Sequence, residues 1–272
     1  MTSNSFIVST LLLLLAVAPT ATSPAPNIES QSALLGTALQ ATVSGTRGST
    51  EVYFLSFAGD GKQRVFASEV RVARAALSSR LDLKGRAIEL ANSPDADERT
   101  LLATRDGLRQ AIAGLAAKMN LDEDVLLLFL TSHGGKNAAL AVEQAGLSLK
   151  DLKASDIRAA LDESGIRWRI IIVSACYSGS FIDPLKDRYS LIATASRADR
   201  NSFGCTDDRE LTYFGEALFR DALPKAGTLR EALWIARDLV SAKEETEGLE
   251  PSEPQIYVGG DMYSKLEQLP LR

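Results

Sequence analysis

Along the chain, short uniformly apolar runs alternate with longer stretches whose apolar residues recur every three or four positions. The first run is Val52–Gly59 (VYFLSFAG), which stops at Gly59-Asp60-Gly61 as a buried strand ending in a turn would. Beyond it, Val65, Val70, Val72, Ala73, Ala76 and Leu77 share one broad helical face, with Arg71, Arg74 and Arg80 largely turned away. The alternation then repeats. Arg86–Ala91 (RAIELA) reads as a strand, Thr100–Met119 as an amphipathic helix, and Val125–Thr131 (VLLLFLT) as a strand too uniformly apolar to have a wet face. Leu152–Ser164 reads as a helix, and Arg169–Ala175 (RIIIVSA) and Leu191–Ala195 (LIATA) as further buried strands. Helices over Leu211–Ala222 and Thr228–Lys243 precede a last short strand at Gln255–Val258 (QIYV). This alternation predicts an α/β fold in three layers, a mostly parallel central sheet of about six strands with helices on both faces. No internal repeat interrupts residues 51–272, which are expected to form one domain.

The N-terminus has a different texture. Phe6–Ala18 (FIVSTLLLLLAVA) is an uncharged apolar run followed by small residues and prolines. It is too short to span a bilayer comfortably and suits the core of a secretory signal, so residues 1–23 are expected to be a signal peptide. The leading Met1-Thr2-Ser3-Asn4-Ser5 lacks the usual Lys or Arg, which keeps an uncleaved anchor or a misassigned start open. The expected protein is exported, periplasmic or secreted in a bacterium and in a secretory or lysosomal-type compartment otherwise, with no integral span in the mature form. Residues 24–50, rich in Ser, Thr, Ala and Gly without clear periodicity, are expected to be a flexible tether or pro-segment.

Composition narrows the chemistry. In 272 residues, 30 Lys and Arg stand against 35 Asp and Glu, a formal net charge of -5 that gives no basic field for nucleic acid or anionic lipid. Two cysteines cannot build a disulfide scaffold or a four-thiolate zinc site, and one histidine excludes a three-imidazole zinc site. Imidazole chemistry therefore falls to His133, and thiolate chemistry to Cys176 or Cys205.

In doubly covered sheets, reactive groups gather beyond the carboxyl ends of the strands. VLLLFLT runs into Ser132-His133-Gly134-Gly135, and RIIIVSA runs into Cys176-Tyr177-Ser178-Gly179-Ser180. If these strands are neighbours, about 5 Å apart, imidazole and thiol face one substrate. The imidazole would favour the attacking thiolate and then protonate the leaving amine. Amides of Gly134 and Cys176 would receive the oxyanion, with glycine at 134 and 135 leaving room for substrate. A short helical segment after Cys176 would present its positive end to the thiol. The plainer alternatives are a hydrogen-bonded structural histidine and a small buried thiol. Cys205 is expected near the site as a buried free thiol, since a Cys176–Cys205 disulfide would silence the nucleophile.

The blocks VLLLFLTSHG (Val125–Gly134) and RIIIVSACYSGS (Arg169–Ser180) resemble the His-Gly and Ala-Cys-x-Ser-Gly-Ser blocks of legumain-type cysteine peptidases, within the wider caspase-like clan. Ile192–Asp207 (IATASRADRNSFGCTD) is similar to the legumain strand after the nucleophile, including its Ser-Phe/Tyr-x-Cys ending. The similarity runs through most of Val52–Val258. It implies a caspase-like sandwich, endopeptidase action on a polypeptide substrate, and no metal or organic cofactor. At the matching positions Cys176 is the nucleophile, His133 the general acid/base and Gly134 an oxyanion donor. Arg64 matches the arginine of the pocket that reads an Asn side chain, whereas Val65 stands where that pocket has a histidine. The pocket's acidic position falls on Asp207, Asp208 or Glu210, with Asp208 and Glu210 carried forward, and Ser202 lines the same pocket. The place of a dyad-orienting Asn is taken by Lys62 or Gln63. The expected activity is hydrolysis after Asn or another polar or charged residue. A transamidase or ligase on the same dyad, as in the GPI-anchor transamidase catalytic subunit, and a catalytically silent binding module are the alternatives.

Overall fold

The computed structural model describes Met1, residues 24–269 and residues 271–272, so the expected signal peptide lies outside the described residues. The strands, in chain order, are β1 (Val52–Ala58), β2 (Ala87–Ala91), β3 (Val125–Thr131), β4 (Gly134–Gly135), β5 (Ala139–Leu140), β6 (Leu152–Lys153), β7 (Trp168–Ser174), β8 (Ser190–Thr194) and β9 (Gln255–Val258). The helices are α1 (Gln31–Gln40), α2 (Arg64–Ser78), α3 (Arg105–Ala116), α4 (Ala154–Ser164), α5 (Ile182–Leu185), α6 (Tyr213–Gly215), α7 (Leu229–Glu247) and α8 (Met262–Leu266). Six strands form the central sheet in the order β2-β1-β3-β7-β8-β9. All its pairings are parallel except that of β9 with β8.

The uniformly apolar strands are explained by which core each residue enters. Successive side chains of a strand point to opposite faces, so a strand covered on both sides needs an apolar residue at every position. From β3, Val125, Leu127 and Phe129 join one core, and Leu126, Leu128 and Leu130 join the other. Ile170 and Ile172 of β7 likewise face away from Ile171 and Val173. The first core is closed by Val70, Ala73 and Leu77 of α2 and by Leu233, Ala236 and Val240 of α7. The second is closed by Leu108, Ile112 and Leu115 of α3 and by Ile157 and Leu161 of α4. This is the three-layer arrangement that the alternation predicts.

Three boundaries differ from the sequence pattern. Residues 100–103 precede α3 rather than opening it, because Leu101 O accepts a hydrogen bond from Ala91 N at 2.8 Å and Thr104 caps the helix by accepting from Gly107 N. Leu152–Lys153 pairs with β5 as a strand before α4 begins, in a three-stranded sheet β4-β5-β6 that the pattern does not predict. The helix expected over Leu211–Ala222 is α6 followed by a wider π turn over Glu216–Ala222, where Leu223 N reaches Leu218 O at 2.9 Å.

Residues 24–50 require a correction. Instead of a flexible tether they contain a 3-10 turn (Ile28–Ser30) and α1, which docks on α3. Leu35 is buried in the second core with Ala38 and Leu39 beside it, and Leu39 occupies the space that a side chain at Gly114 would need. Gln31 accepts from Leu102 N at 2.7 Å and donates to Thr100 O at 3.1 Å. The apolar stripe is narrow, and its partner comes from a segment 70 residues on, which is why local periodicity does not reveal it. Among the described residues, no helix is long and apolar enough to cross a membrane.

Leu35→Ala should lower the unfolding free energy by about 2–5 kcal/mol in chemical denaturation. A flexible tether would leave the midpoint unchanged.

Candidate active site

β3 and β7 pair in parallel, from Val125 opposite Trp168 to Thr131 opposite Ser174. Both chains leave the sheet after that last rung, where Ser132 N still donates to Ser174 O at 3.3 Å. His133 and Cys176 are each two residues beyond it. The two candidate reactive side chains therefore emerge from neighbouring central strands at the same level.

On the β3 side the chain folds into the hairpin β4–β5. Ala141 N donates to His133 O at 2.9 Å, so the next pair, Gly134 opposite Leu140, is a non-hydrogen-bonded one. The N–H of Gly134 therefore points away from β5. Gly134 also lies against the nucleophile loop, and a Cβ there would overlap the Cys176 carbonyl oxygen and stand 3.0 Å from Ala175 Cβ. Glycine is thus required at 134 by contact between the two loops. The His133 imidazole is held on two sides. Its Nε2 is 2.8 Å from Gln63 Oε1, and its ring meets Phe66 edge-on with centroids 5.1 Å apart. An amide oxygen can only accept, so this contact calls for the proton on Nε2, and in the neutral imidazole Nδ1 is then the bare nitrogen. Gln63 is therefore the residue that meets the imidazole, while Lys62 pairs with Glu143.

On the β7 side, Cys176 Sγ accepts from Ser202 N at 3.3 Å, with Ser202 Oγ at 3.7 Å. Tyr177 follows in the left-handed region (φ 56°, ψ 18°), a conformation uncommon for a residue with a side chain and concentrated at functional loops. The loop is fixed by the segment after β8: Tyr177 N donates to Arg200 O at 2.8 Å and Ser178 N to Ser196 Oγ at 3.1 Å. A Cβ at Gly179 would come 2.5 Å from Ala198 N, so only glycine permits that approach. That segment is itself tied down, since Arg197 pairs with Glu253 at 2.6 Å and Arg200 with Glu250. The helical segment after Cys176 is a 3-10 turn (Ser178–Phe181) leading into the four-residue α5, too short to supply the positive helix end expected of it. Cys176 and Cys205 are both free thiols. Burial pushes the Cys205 thiol up, and Cys176 adds to the shift.

A residue that the sequence reading did not single out lies behind both strand ends. Glu69 of α2 is fully buried and accepts hydrogen bonds from Thr131 Oγ1 at the end of β3, from Ser174 Oγ at the end of β7 (3.2 Å) and from Thr212 Oγ1 (2.5 Å). Burial raises its carboxyl from the usual 4.5 to about 7, against the opposing pull of the three hydroxyls. The signal was available: Val65, Glu69 and Ala73 fall four residues apart, which puts an acidic residue inside the apolar stripe of α2.

The expected pocket residues separate. Ser202 lies against the Cys176 sulfur as described. Arg64 opens α2 with its guanidinium largely exposed and paired to Asp95 at 2.9 Å, while its backbone N donates to Asp207 Oδ1 at 2.8 Å. Asp207 thus meets the Arg64 backbone, and Asp95 its guanidinium. Asp208 is exposed, its carboxyl held low by the Thr206 hydroxyl, and Glu210 pairs with Arg220. Neither Asp208 nor Glu210 is brought to Arg64 by these contacts.

A doubly covered, mostly parallel six-stranded sheet with a cysteine and a histidine beyond adjacent central strands defines a caspase-like α/β sandwich. Its fold is similar to the crystal structure of caspase-1 from Spodoptera frugiperda, with a TM-score of 0.54 and 13% sequence identity over 80% of this chain and 93% of that one. Residues 98–265 match the Peptidase C13 family, and the chain belongs to that family of cysteine peptidases. No curated protein matches the chain.

A carboxyl with a folded-state pKa raised from 4.5 to about 7 keeps its proton in the native state while the unfolded chain has lost it. The Glu69 contribution to stability should therefore fall as pH rises through this window and be level above it. In thermal unfolding, wild type should lose ground to Glu69→Gln between pH 4.5 and 7. A difference independent of pH over that range would contradict the raised value.

Proposed function

We propose that the chain is an endopeptidase working through a Cys176–His133 dyad and a thioester intermediate. The observation that supports it is the shared rung: the thiol and the imidazole follow residues paired across β3 and β7, and Gln63 already occupies Nε2. Nδ1 takes the thiol proton as Sγ bonds to the substrate carbonyl carbon. The oxyanion is received by the N–H groups of Gly134 and Cys176, the first of which is turned away from β5. Collapse breaks the C–N bond, and the imidazolium gives its proton to the leaving amine. Water, deprotonated by His133, then attacks the thioester and releases the acid with the thiol restored.

Cleavage after Asn or another polar or charged residue is part of the same proposal. An Asn side chain needs one acceptor and one donor, and Asp207 and Arg64 at the start of α2, with Ser202 beside the sulfur, are the polar groups proposed to line its pocket. Export of the enzyme, with residues 1–23 as a removable signal, is also proposed.

Cys176→Ala and His133→Ala should each lower peptide turnover by at least about a thousandfold in the purified protein. Unchanged turnover in Cys176→Ala would overturn the reading. Gln63→Leu should lower kcat by roughly ten- to a hundredfold with KM little changed, since it frees the imidazole to turn. A peptide library read at P1 tests the preference. Product analysis with an added amine separates hydrolysis from transfer.

A further inference from the structure

The buried carboxyl group of Glu69 has no part in the steps above, and stability alone does not account for its presence. Moving an ionisable group from water into an apolar core is unfavourable, and a well-packed aliphatic side chain in the same slot is commonly as stabilising or more so. Yet space is reserved for it: a Cβ at Gly215 would overlap Glu69 Oε1, so α6 carries glycine where it passes the carboxyl group.

The three hydroxyls it collects come from three separate places. Thr131 is the last residue of β3, two before His133, and Ser174 is the last of β7, two before Cys176. Thr212 caps α6, accepting from Gly215 N at 3.0 Å, and ends the segment that carries Ser202 against the sulfur. The Ser174 and Thr212 hydroxyl oxygens lie 3.0 Å apart beside the Glu69 carboxyl group. Beyond the Thr131–Ser174 rung the ladder supplies only the Ser132–Ser174 bond, and the approach of Gly134 to the Cys176 carbonyl limits how close the two loops come without holding them together.

We propose that Glu69 is a positioning residue that ties the ends of β3 and β7 and the Thr212 corner to one carboxyl group, and so sets the separation of His133 and Cys176. The inference rests on the dyad proposed above. It goes beyond that dyad in assigning its spacing to a residue on α2 that touches neither the imidazole nor the sulfur.

The test compares full-length wild type with Thr131→Val, Thr131→Ser, Ser174→Ala and Glu69→Gln, each first checked for native circular dichroism. Alkylation of Cys176 by iodoacetamide is followed by peptide mapping, alongside kcat and KM on a peptide substrate. Thr131→Val and Ser174→Ala should slow Cys176 alkylation and lower kcat by about tenfold, with KM within about twofold. Thr131→Ser keeps the hydroxyl and should restore both. Rates for Thr131→Val within twofold of wild type, or a Thr131→Ser variant as slow as Thr131→Val, would overturn the proposal. Should Glu69→Gln fail to fold, the two Thr131 variants decide. If wild type cleaves no peptide, the peptidase reading fails, but the alkylation rates still decide whether Glu69 and its hydroxyls set the environment of Cys176.

Discussion

The parallel pairing of β3 with β7 governs everything that happens at the carboxyl edge of the sheet. Seven rungs run from Val125 opposite Trp168 to Thr131 opposite Ser174, and between them the two strands send apolar side chains into a core on each face of the sheet. A slip by one residue would send the side chains of a whole strand to the wrong core, so burial on both faces fixes the register. Because the register is fixed, the level at which each chain leaves the sheet is fixed too. His133 and Cys176 inherit their common level from hydrophobic packing well below them.

What packing does not supply is the arrangement above the last rung, and there the structure relies on polar contacts and on glycine. Gly134 and Gly179 let two loop backbones come closer to their neighbours than any side chain would allow. Tyr177 accepts a left-handed backbone to present the loop. Gln63 holds Nε2 of the imidazole from the start of α2, and Glu69 gathers the strand ends from about 1.7 turns further along the same helix. One helix thus contacts the site at two depths. The cost is a carboxyl group in a dry core, visible as its upward shift toward neutrality.

Much of this was legible in the amino-acid sequence. The runs VLLLFLT and RIIIVSA specified β3 and β7 to within a residue, because a strand buried on both faces leaves an unbroken apolar signature. The chain's one histidine and one of its two thiols then stood out beyond them. The hairpin β4–β5 was not legible, since two-residue strands are too short to show alternation. Nor was α1, whose Leu35, Ala38 and Leu39 make sense only once α3 is placed against them. Nothing in the residue pattern separates Asp207, Asp208 and Glu210. What favours Asp207 in the proposed pocket is a backbone contact, Arg64 N to Asp207, across more than a hundred residues.

Cys176, and not Cys205, is proposed as the nucleophile, with His133 activating it. Trapping with a peptidyl electrophile that mimics an acyl donor, read by mass spectrometry of the digested protein, tests this most directly. The account predicts a single adduct on Cys176 in wild type and its loss in His133→Ala. An adduct on Cys205, or undiminished labelling of Cys176 without the imidazole, would contradict it.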